Sequence, residues 1–489
     1  MRNKILALVF FFFFVISTFA CASYKESCDI KLNSSGVIKK TVNSKLLNNE
    51  WEQINEDGFG DASNVGTRGM TSFKGYLCVG LTNLNISSGE INGCELWCYN
   101  GSEWFQSVGN SQDALLSSGF GNSSNAECSI LIEFNNKLYA GTANNEGLQL
   151  WRTDDPVEGA WEQVIDNGFG DVSNMGAWSA KIFNDYLYIG TANFPKGCEI
   201  WRTANGEEWE TVVGGTSITP GGFGEILNDY VWCIEVYNNT LYVGTHNMRG
   251  GEIWKTKNGL TWECLVGPAG ERPRGFQLLD LNYGIRNLKV FNGELYAGTA
   301  AMPAVTVRVK IGGLLLKPRE RTIFWSPEIG FHIWRYNESK NNKWERVVGG
   351  FFGDNSLRNG FGDNHNTYAW TMDIFKDELY VGSYNTKRSY FSIALMELIK
   401  NISSLKDIMI YVGSDLVTKD SDGCEIWKTG NGNQWVQVVG NESEGPANGF
   451  GDKFNLGTRS ITIYSINNED ALIIGTINSA SGCEIWKYQ

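Results

Sequence analysis

The residues best suited to bind a ligand stand at one equivalent position in seven copies of a short apolar segment. Each copy ends in an aromatic residue, from Phe73 in the first copy to Tyr464 in the seventh. The residues five positions before that aromatic residue are, in chain order, Arg68, Ser129, Trp178, Trp232, Arg286, Trp370 and Arg459. Guanidinium groups bind carboxylate or sulfate, and tryptophan faces stack on sugar rings or cations. This position is therefore the first candidate for a binding site.

Histidine is scarce, since His246, His332 and His365 are the only three in 489 residues. So few imidazoles exclude a His-rich metal centre and leave little material for a Ser-His-Asp triad. No spacing of acids, cysteines and histidines matches a catalytic motif. The sequence therefore predicts no catalytic residue, no metal site and no cofactor.

The candidate position belongs to a longer repeat. Each of seven units contains a Leu-Tyr-x-Gly-Thr-like segment, as at 187–191, and a Gly-Cys-Glu-Ile-Trp-like segment, as at 197–201. A run that begins with Trp and a Gly-Phe-Gly-Asp-like loop complete the unit. Four β-type runs in a repeat of roughly 50 residues are typical of a β-propeller blade. We therefore predict an all-β fold, a seven-bladed β-propeller with four-stranded blades.

The two ends of the repeat region complete each other. The last unit stops at 486–489 without its Trp-initiated run, whereas an unpaired run of that type stands at 51–54. Pairing these runs lets the N-terminal strand complete the C-terminal blade and leaves no exposed edge. The predicted domains are an export signal at 1–22, a linker at 23–50 and a propeller at 51–489 with insertions at 302–329 and 386–422.

The first 22 residues have the composition of an export signal. Arg2 and Lys4 precede an apolar run, and Ala20-Cys-Ala22 supplies a small-residue cleavage site. Eight Asn-X-Ser/Thr triplets agree with an exported glycoprotein. A formal net charge of −13 argues against nucleic acid as a partner, and no second apolar stretch is long enough to span a membrane. The predicted location is secreted or cell-surface.

One turn of the repeat carries a resemblance to a known family. The turns at 203–209, 256–262 and 429–435 read Thr-x-Asn-Gly-x-x-Trp. They resemble the Asp-box hairpin of sialidase-like and related secreted propellers, with Asn in place of Asp and one residue fewer before Trp. The pattern over 51–489 is also similar to kelch-type propellers and to uncharacterised microbial, notably archaeal-type, cell-surface propeller proteins. The resemblance implies the fold, and no activity, because Asp-boxes are structural.

Other repeated residues are interpreted as structural. A residue that most units require serves packing, so we expect the recurrent Glu to be a buried acceptor between strands. This Glu is found as Glu95, Glu199, Glu252, Glu425 and Glu484. The cysteine beside it is expected to be a buried thiol, because equivalent positions in neighbouring blades lie too far apart for a disulfide. Asp and Asn three apart in the Gly-Phe-Gly-Asp loops allow either calcium binding or turn capping, and repetition favours capping.

Function is expected where the units differ, at one mouth of the central channel. The seven-residue ring lies near the start of the strands that line this channel. The two insertions, the first basic and the second with helix-like spacing over 390–410, emerge on the same face, as do His246 and His365. The predicted ligand-binding residues are Arg68, Trp178, Trp232, Arg286, Trp370, Arg459, His246 and His365. Strand-end capping by Arg and channel filling by Trp are the alternative.

Three functions fit these features. The preferred function is recognition of a glycan, an anionic small molecule or a surface protein at the insertion-bearing face. The alternative is a carbohydrate-active enzyme, a sialidase-like glycosidase or lyase, which needs acids at the mouth; Glu235 and Asp373 lie three residues beyond Trp232 and Trp370. The second alternative is a structural envelope component, in which the ring is packed and inaccessible.

Overall fold

Tight hairpins are the first elements that the repeat builds. In the computed structural model, each Leu-Tyr-x-Gly-Thr-like segment is the second strand of a hairpin, and the aromatic-ended segment before it is the first. Phe183 pairs with Tyr186 across a two-residue turn in which Asn184 and Asp185 have φ of 48° and 63°. Two positive φ values define the turn that suits the twist of paired strands, and Asn and Asp tolerate them.

The structure describes residues 46–47, 50–85, 88–276, 282–301, 305–311, 319–325, 330–350, 357–385, 410–411, 422–441, 445–466 and 469–489. The predicted export signal, nearly all of the predicted linker and most of the insertion at 386–422 lie outside these residues. The helix predicted for 390–410 lies outside them as well, except for residue 410. No helix in the described part combines the length and apolar character needed to cross a membrane.

A closed ring of 14 antiparallel strands forms the centre of the molecule. The second strand of each hairpin pairs at its end with the first strand of the next, as Ala192 does with Tyr230. The ring closes where Ile477 of the last hairpin pairs with Gly66 of the first. The first strands also contact one another around the ring, so they line its axis. The predicted all-β class and the closed ring are confirmed.

We number the hairpins as units 1 to 7, each with two further strands on its outer side. The first strands are Asn64–Phe73, Glu127–Phe134, Gly176–Phe183, Tyr230–Tyr237, Asn282–Phe291, Asn366–Phe375 and Asn455–Ile466. The second strands are Tyr76–Asn83, Lys137–Ala143, Tyr186–Ala192, Thr240–His246, Glu294–Ala301, Glu378–Asn385 and Glu469–Asn478. The third strands are Leu96–Tyr99, Leu150–Thr153, Ile200–Thr203, Ile253–Thr256, Ile333–Tyr336, Ile426–Thr429 and Ile485–Tyr488. The fourth strands are Trp104–Val108, Glu162–Ile165, Glu210–Val213, Glu263–Val266, Trp344–Gly350, Val436–Val439 and Trp51–Gln53.

Shorter elements complete the fold. Single 3₁₀ turns precede the first strands at Asp57–Gly60, Ser118–Gly121, Gly221–Gly224, Asn359–Gly362 and Asn448–Gly451. The remaining strands are Leu46–Leu47, Val305–Ile311, Arg319–Trp325, Leu357–Arg358 and Ile410–Tyr411. Strands from the two insertions pair with each other, since residues 308 and 309 lie opposite residues 411 and 410.

The fourth strand of unit 7 comes from the opposite end of the chain. Trp51–Gln53 pairs antiparallel with Trp486, Lys487 and Tyr488 as the fourth strand of unit 7. Trp51 is 1% exposed, and its ring lies 4.7 Å from that of Tyr488. Leu46–Leu47, which lies in the segment predicted as a linker, pairs with the strand Trp51–Gln53.

The repeated glycine and phenylalanine fix how neighbouring strands approach. A Cβ on Gly190 would lie 2.5 Å from the Cβ of Val231 in the next unit, so only glycine permits this approach. Phe169 has a φ of 61°, which is rare for a bulky residue, and stacks on Trp201 at 4.5 Å and 5°. The stacked phenylalanines of the seven units are Phe59, Phe120, Phe169, Phe223, Phe276, Phe361 and Phe450.

The repeated Glu is a buried acceptor, as the sequence predicts. In unit 3, Glu199 Oε2 accepts hydrogen bonds from Asn174 Nδ2 at 2.8 Å and from Trp201 Nε1 at 2.9 Å. Asn174 Nδ2 also donates to the carbonyl oxygen of Gly168 at 3.0 Å, so the bonds join the loop before the first strand to the third strand. Gln149 takes the same place in unit 2 and accepts the equivalent two bonds.

We expect Glu484→Gln to reduce the pH dependence of stability. Burial raises the pKa of Glu484 to about 7 from 4.5, so the folded chain binds more protons than the unfolded chain between these values. Stability must therefore fall as the pH rises through this window, by up to about 3 kcal/mol for this group. Glutamine keeps the acceptor without the charge, as Gln149 shows. Chemical denaturation across the window measures the change, with the 72% exposed Glu263→Gln as control. An unaltered pH slope in Glu484→Gln would contradict the expectation.

The cysteines and the acidic loops follow the structural interpretation. The nine cysteines in the described part of the chain are buried and free. The thiols of Cys78 and Cys98, on paired strands, lie 2.8 Å apart. In the loop of unit 3, Asp171 Oδ1 accepts a hydrogen bond from the backbone N–H of Ser173 at 3.0 Å, which is the geometry of an Asx turn.

Candidate functional site

A β-bulge at the same point of every first strand carries the candidate ring. Ala177 pairs with Thr191 and Ser179 with Gly190, so Trp178 between them is the extra residue. The equivalent irregularities carry Arg68, Ser129, Trp232, Arg286, Trp370 and Arg459. A bulge frees one residue from the ladder and re-aims its side chain. The local geometry therefore turns all seven side chains of the ring out of the regular alternation.

Two of the three arginines share one buried carboxylate. Glu127, which is 0% exposed, lies 2.5 Å from Arg459 Nη2 and 3.4 Å from Arg68 Nε. Thr82 Oγ1 donates a further hydrogen bond of 2.7 Å to Glu127 Oε2. Because these residues come from units 1, 2 and 7, the ion pairs join three units across the ring. The Nε and Nη1 atoms of Arg459 remain buried without a hydrogen-bond partner in the described part of the structure.

The third arginine has no counter-ion of its own. Arg286 is 7% exposed, and it has neither a hydrogen bond nor an ion pair with any described residue. Its guanidinium carbon instead lies 4.9 Å from the ring centroid of Trp232 and 5.3 Å from that of Trp370. Aromatic faces attract a cation but accept no N–H hydrogen bond of ordinary strength. Within the described part of the chain, the N–H groups of Arg286 therefore have no acceptor.

The arginines carry more positive charge than their surroundings balance. Burial, reinforced by the charges of Arg68 and Arg459, lowers the pKa of Arg286 to about 9. Burial likewise lowers the pKa of Arg68 to about 10, against the opposing effect of Glu127. Both side chains remain cationic at neutral pH, and among the described residues only Arg68 and Arg459 pair with a carboxylate, that of Glu127. An anion placed among them would relieve this excess.

Aromatic and imidazole groups extend the cluster on one side. His246 Nδ1 is bonded to Asp229 Oδ1, and the imidazole lies 4.7 Å from Trp232 and 5.2 Å from Tyr283. The hydroxyl of Tyr283 is bonded to that of Tyr368. Burial raises the pKa of both tyrosines, so both stay protonated, and one hydroxyl donates to the other. The site thus combines cations, stacking faces, one imidazole and two phenols.

The structure brings seven of the eight predicted site residues into this cluster. His365, the eighth, has a side chain 48% exposed and contacts Asp363 two residues earlier. The two acids that stand three residues after ring tryptophans are each held by a lysine. Glu235 lies 2.6 Å from Lys181 Nζ, and Asp373 lies 2.5 Å from Lys289 Nζ. Neither of these acids contacts the arginine cluster in the described structure.

The residues of the cluster that were not predicted from the sequence are Thr82, Asp229 and Tyr283, and three that share one position, Glu127, Tyr230 and Tyr368. Glu127, Tyr230 and Tyr368 each stand two positions before a ring residue. The other four first strands have glycine at that position, namely Gly66, Gly176, Gly284 and Gly457. A Cβ on Gly284 would overlap Trp232, and one on Gly457 would overlap Trp370, so these glycines make room for the rings. A comparison of the seven units at the position two residues before the ring would therefore have singled out Glu127, Tyr230 and Tyr368.

Comparison with known proteins gives similarity of fold only. No protein-family model matches the chain, and no curated protein is similar to it. Solved structures with a similar fold include the polysaccharide lyase Uly1, 7% identical with a TM-score of 0.43 over 89% of this chain and 92% of that one. An α-L-arabinanase of Penicillium chrysogenum, complexed with arabinobiose, is 11% identical with a TM-score of 0.36 over 73% and 92%. A luciferin-regenerating enzyme is 9% identical with a TM-score of 0.36 over 69% and 91%. No activity carries over at these values.

Proposed function

We propose that the chain is an exported protein whose arginine cluster binds the carboxylate or sulfate of an acidic glycan or a related small anion. The observation that carries this proposal is Arg286, a buried cation with N–H groups that no described residue accepts. Arg68 and Arg459 belong to the same cluster. They add two further cations, which share the one carboxylate of Glu127. Trp232 and Trp370, which flank Arg286, supply faces on which a sugar ring can stack. Charge and stacking together favour an acidic saccharide.

The same proposal includes the finer architecture. Each four-stranded unit is one blade of a seven-bladed β-propeller, in which the bulged first strands surround the channel. Residues 1–22 direct export, residues 23–50 lead into the propeller at 51–489, and the insertions at 302–329 and 386–422 belong to the binding face. His365 lies in a loop that precedes a first strand, and it serves ligands that extend beyond the mouth.

We expect Arg286→Ala to weaken binding of glucuronate by about 10- to 100-fold, because a charge-assisted hydrogen bond contributes about 1.5–3 kcal/mol. Removing Arg286 leaves no buried partner uncompensated, unlike removal of Arg68 or Arg459, which both pair with Glu127. Titration calorimetry with glucuronate, glucose 6-sulfate and glucose measures the effect. Neutral glucose is expected to bind weakly to every variant.

The matched control is Arg249→Ala. Arg249 is a partly exposed arginine paired with Glu225 at 3.4 Å, outside the cluster. Arg249→Ala is expected to leave the binding of glucuronate unchanged. Equal binding of glucuronate by the original protein and by Arg286→Ala would contradict the proposal, and so would the absence of binding by any acidic probe.

A second candidate function, lyase action on an acidic polysaccharide, is favoured by His246. Asp229 fixes the Nδ1 side of this imidazole, which leaves Nε2 to accept a proton. In such an elimination, Nε2 takes the proton from the carbon beside the carboxylate, and a guanidinium stabilises the developing charge. The electron pair then forms the double bond as the glycosidic C–O bond breaks, and a tyrosine hydroxyl protonates the leaving oxygen. Unsaturated uronate ends, formed by the original protein and absent with His246→Ala, would establish turnover in place of binding alone.

A further inference from the structure

A small pocket opens beside the arginine cluster, at the junction of units 2 and 3. Ala126, Ala143, Trp178, Ala192, Phe194 and Tyr230 form its apolar lining. It offers ≈ 20 Å³ to the centre of a water-sized sphere, enough for about one methyl-sized group. Met175, Asn144 and Asn145 complete the lining.

The pocket exists because one junction of the ring combines two small residues. At every junction, a residue at or next to the end of a second strand lies opposite a residue of the next first strand. Six of these pairs contain a residue larger than alanine. These six pairs are Thr82–Glu127, Ala192–Tyr230, His246–Gly284, Ala300–Tyr368, Tyr384–Gly457 and Ile477–Gly66. The seventh pair is Ala143–Gly176. The space that a larger side chain fills elsewhere is open here.

The wall of this pocket is shared with the arginine cluster. Trp178 lines the pocket, and the guanidinium carbon of Arg68 lies 5.2 Å from the centroid of the same indole. Arg68 Nη2 also donates to the carbonyl oxygen of Trp178 at 3.4 Å. A ligand whose anionic group reaches the arginines can therefore place a neighbouring substituent against the pocket face of Trp178.

Of the two asparagines in the lining, Asn144 is buried and hydrogen-bonded, whereas Asn145 is exposed at the rim. Asn144 Nδ2 donates to Asn125 Oδ1 at 2.8 Å, and Asn144 Oδ1 accepts a hydrogen bond from the backbone N–H of Glu146 at 2.8 Å. The alanine, Trp178 and Phe194 surfaces of the lining give a polar substituent no hydrogen bond in exchange for its hydration. An apolar substituent loses nothing by entering.

We propose that this junction pocket takes the methyl group of an O-methyl or N-acetyl substituent on the acidic saccharide. The inference rests on the proposed function and specifies its ligand class, an acidic sugar methylated or acetylated close to its anionic group. Burial of one methyl group is expected to strengthen binding by about 4-fold over the unsubstituted sugar.

The test compares 4-O-methylglucuronate with glucuronate as calorimetric probes. The original protein is expected to prefer the methylated probe, and Ala143→Ile is expected to remove this preference by filling the pocket. Ile477 occupies the equivalent position in unit 7, so the backbone there accepts isoleucine. Ala143→Ser is the second variant, because it makes the pocket polar with little added volume. Ala62→Ile, the same change at an exposed loop position, is the control, and Ile226 occupies the equivalent loop position in unit 4.

Each outcome bears on one of the two proposals. A preference that Ala143→Ile and Ala143→Ser reduce, with glucuronate binding retained, supports the pocket. Equal binding of both probes by the original protein, or an equal loss for both probes in the variants, overturns the pocket and leaves the proposed function standing. Absence of binding by either probe in the original protein overturns both.

Discussion

Glu127→Ala is expected to lower the free energy of unfolding by about 3–5 kcal/mol, because it leaves buried cations without their counter-charge. Glu127 is fully buried and forms ion pairs with both Arg68 and Arg459. Its loss also breaks the ion pairs that connect units 1, 2 and 7. Equilibrium denaturation monitored by tryptophan fluorescence measures the change.

Glu207→Ala is the matched control for this prediction. Glu207 pairs with Arg152 at 2.6 Å, but its side chain is 63% exposed, so its removal should cost less than about 1 kcal/mol. A Glu127→Ala protein as stable as Glu207→Ala would show that the arginines do not depend on this carboxylate. The excess of positive charge in the site would then need another explanation.

Trp51→Ala is expected to destabilise the protein by about 3–5 kcal/mol through lost packing. The Trp51 ring lies 5.1 Å from that of Phe450 and 4.7 Å from that of Tyr488. Trp51 also anchors the strand that closes the ring, so its loss should release the third strand of unit 7. Denaturation measures the stability, and hydrogen exchange of Trp486 and Tyr488 measures the local opening.

Trp435→Ala separates packing from ring closure. Trp435 contacts Phe361 at 5.1 Å, in the arrangement that Trp51 has with Phe450, but it precedes a fourth strand that does not close the ring. It should be destabilising without faster exchange at Trp486. Equal exchange at Trp486 in both variants would contradict the closing role of Trp51.

The fold could be predicted from the sequence because the same unit is repeated seven times. A hairpin such as 176–192 follows from alternating apolar residues and an Asn-Asp turn, which are local properties of the chain. The pairing of Trp51 with Tyr488 follows from the missing run at one end and the extra run at the other. The short strand at residues 46–47 was not predicted, because two leucines in a polar stretch show no periodic pattern.

The site was predictable only in part, because its residues come together across units. The ring position emerged because one alignment column varies between Arg, Trp and Ser. The bulge that re-aims these side chains leaves no mark in a single sequence, and the pairing of Glu127 with Arg459 spans 332 residues. The contact of His365 with Asp363 is local, yet its separation from the arginine cluster depends on the path of the loop.

The closing strand also bears on the order of synthesis. Trp51–Gln53 emerges early from the ribosome, and its partner strand Ile485–Tyr488 is made more than 400 residues later, since Asn55 and Ile485, which are hydrogen-bonded, are 430 apart. Nascent units 1 to 6 can therefore pair with their neighbours while the ring stays open. During that time the edge of the first hairpin can pair with other chains. The unpaired strand Trp51–Gln53 has only three residues, so it adds little to the tendency of the nascent chain to pair with other chains.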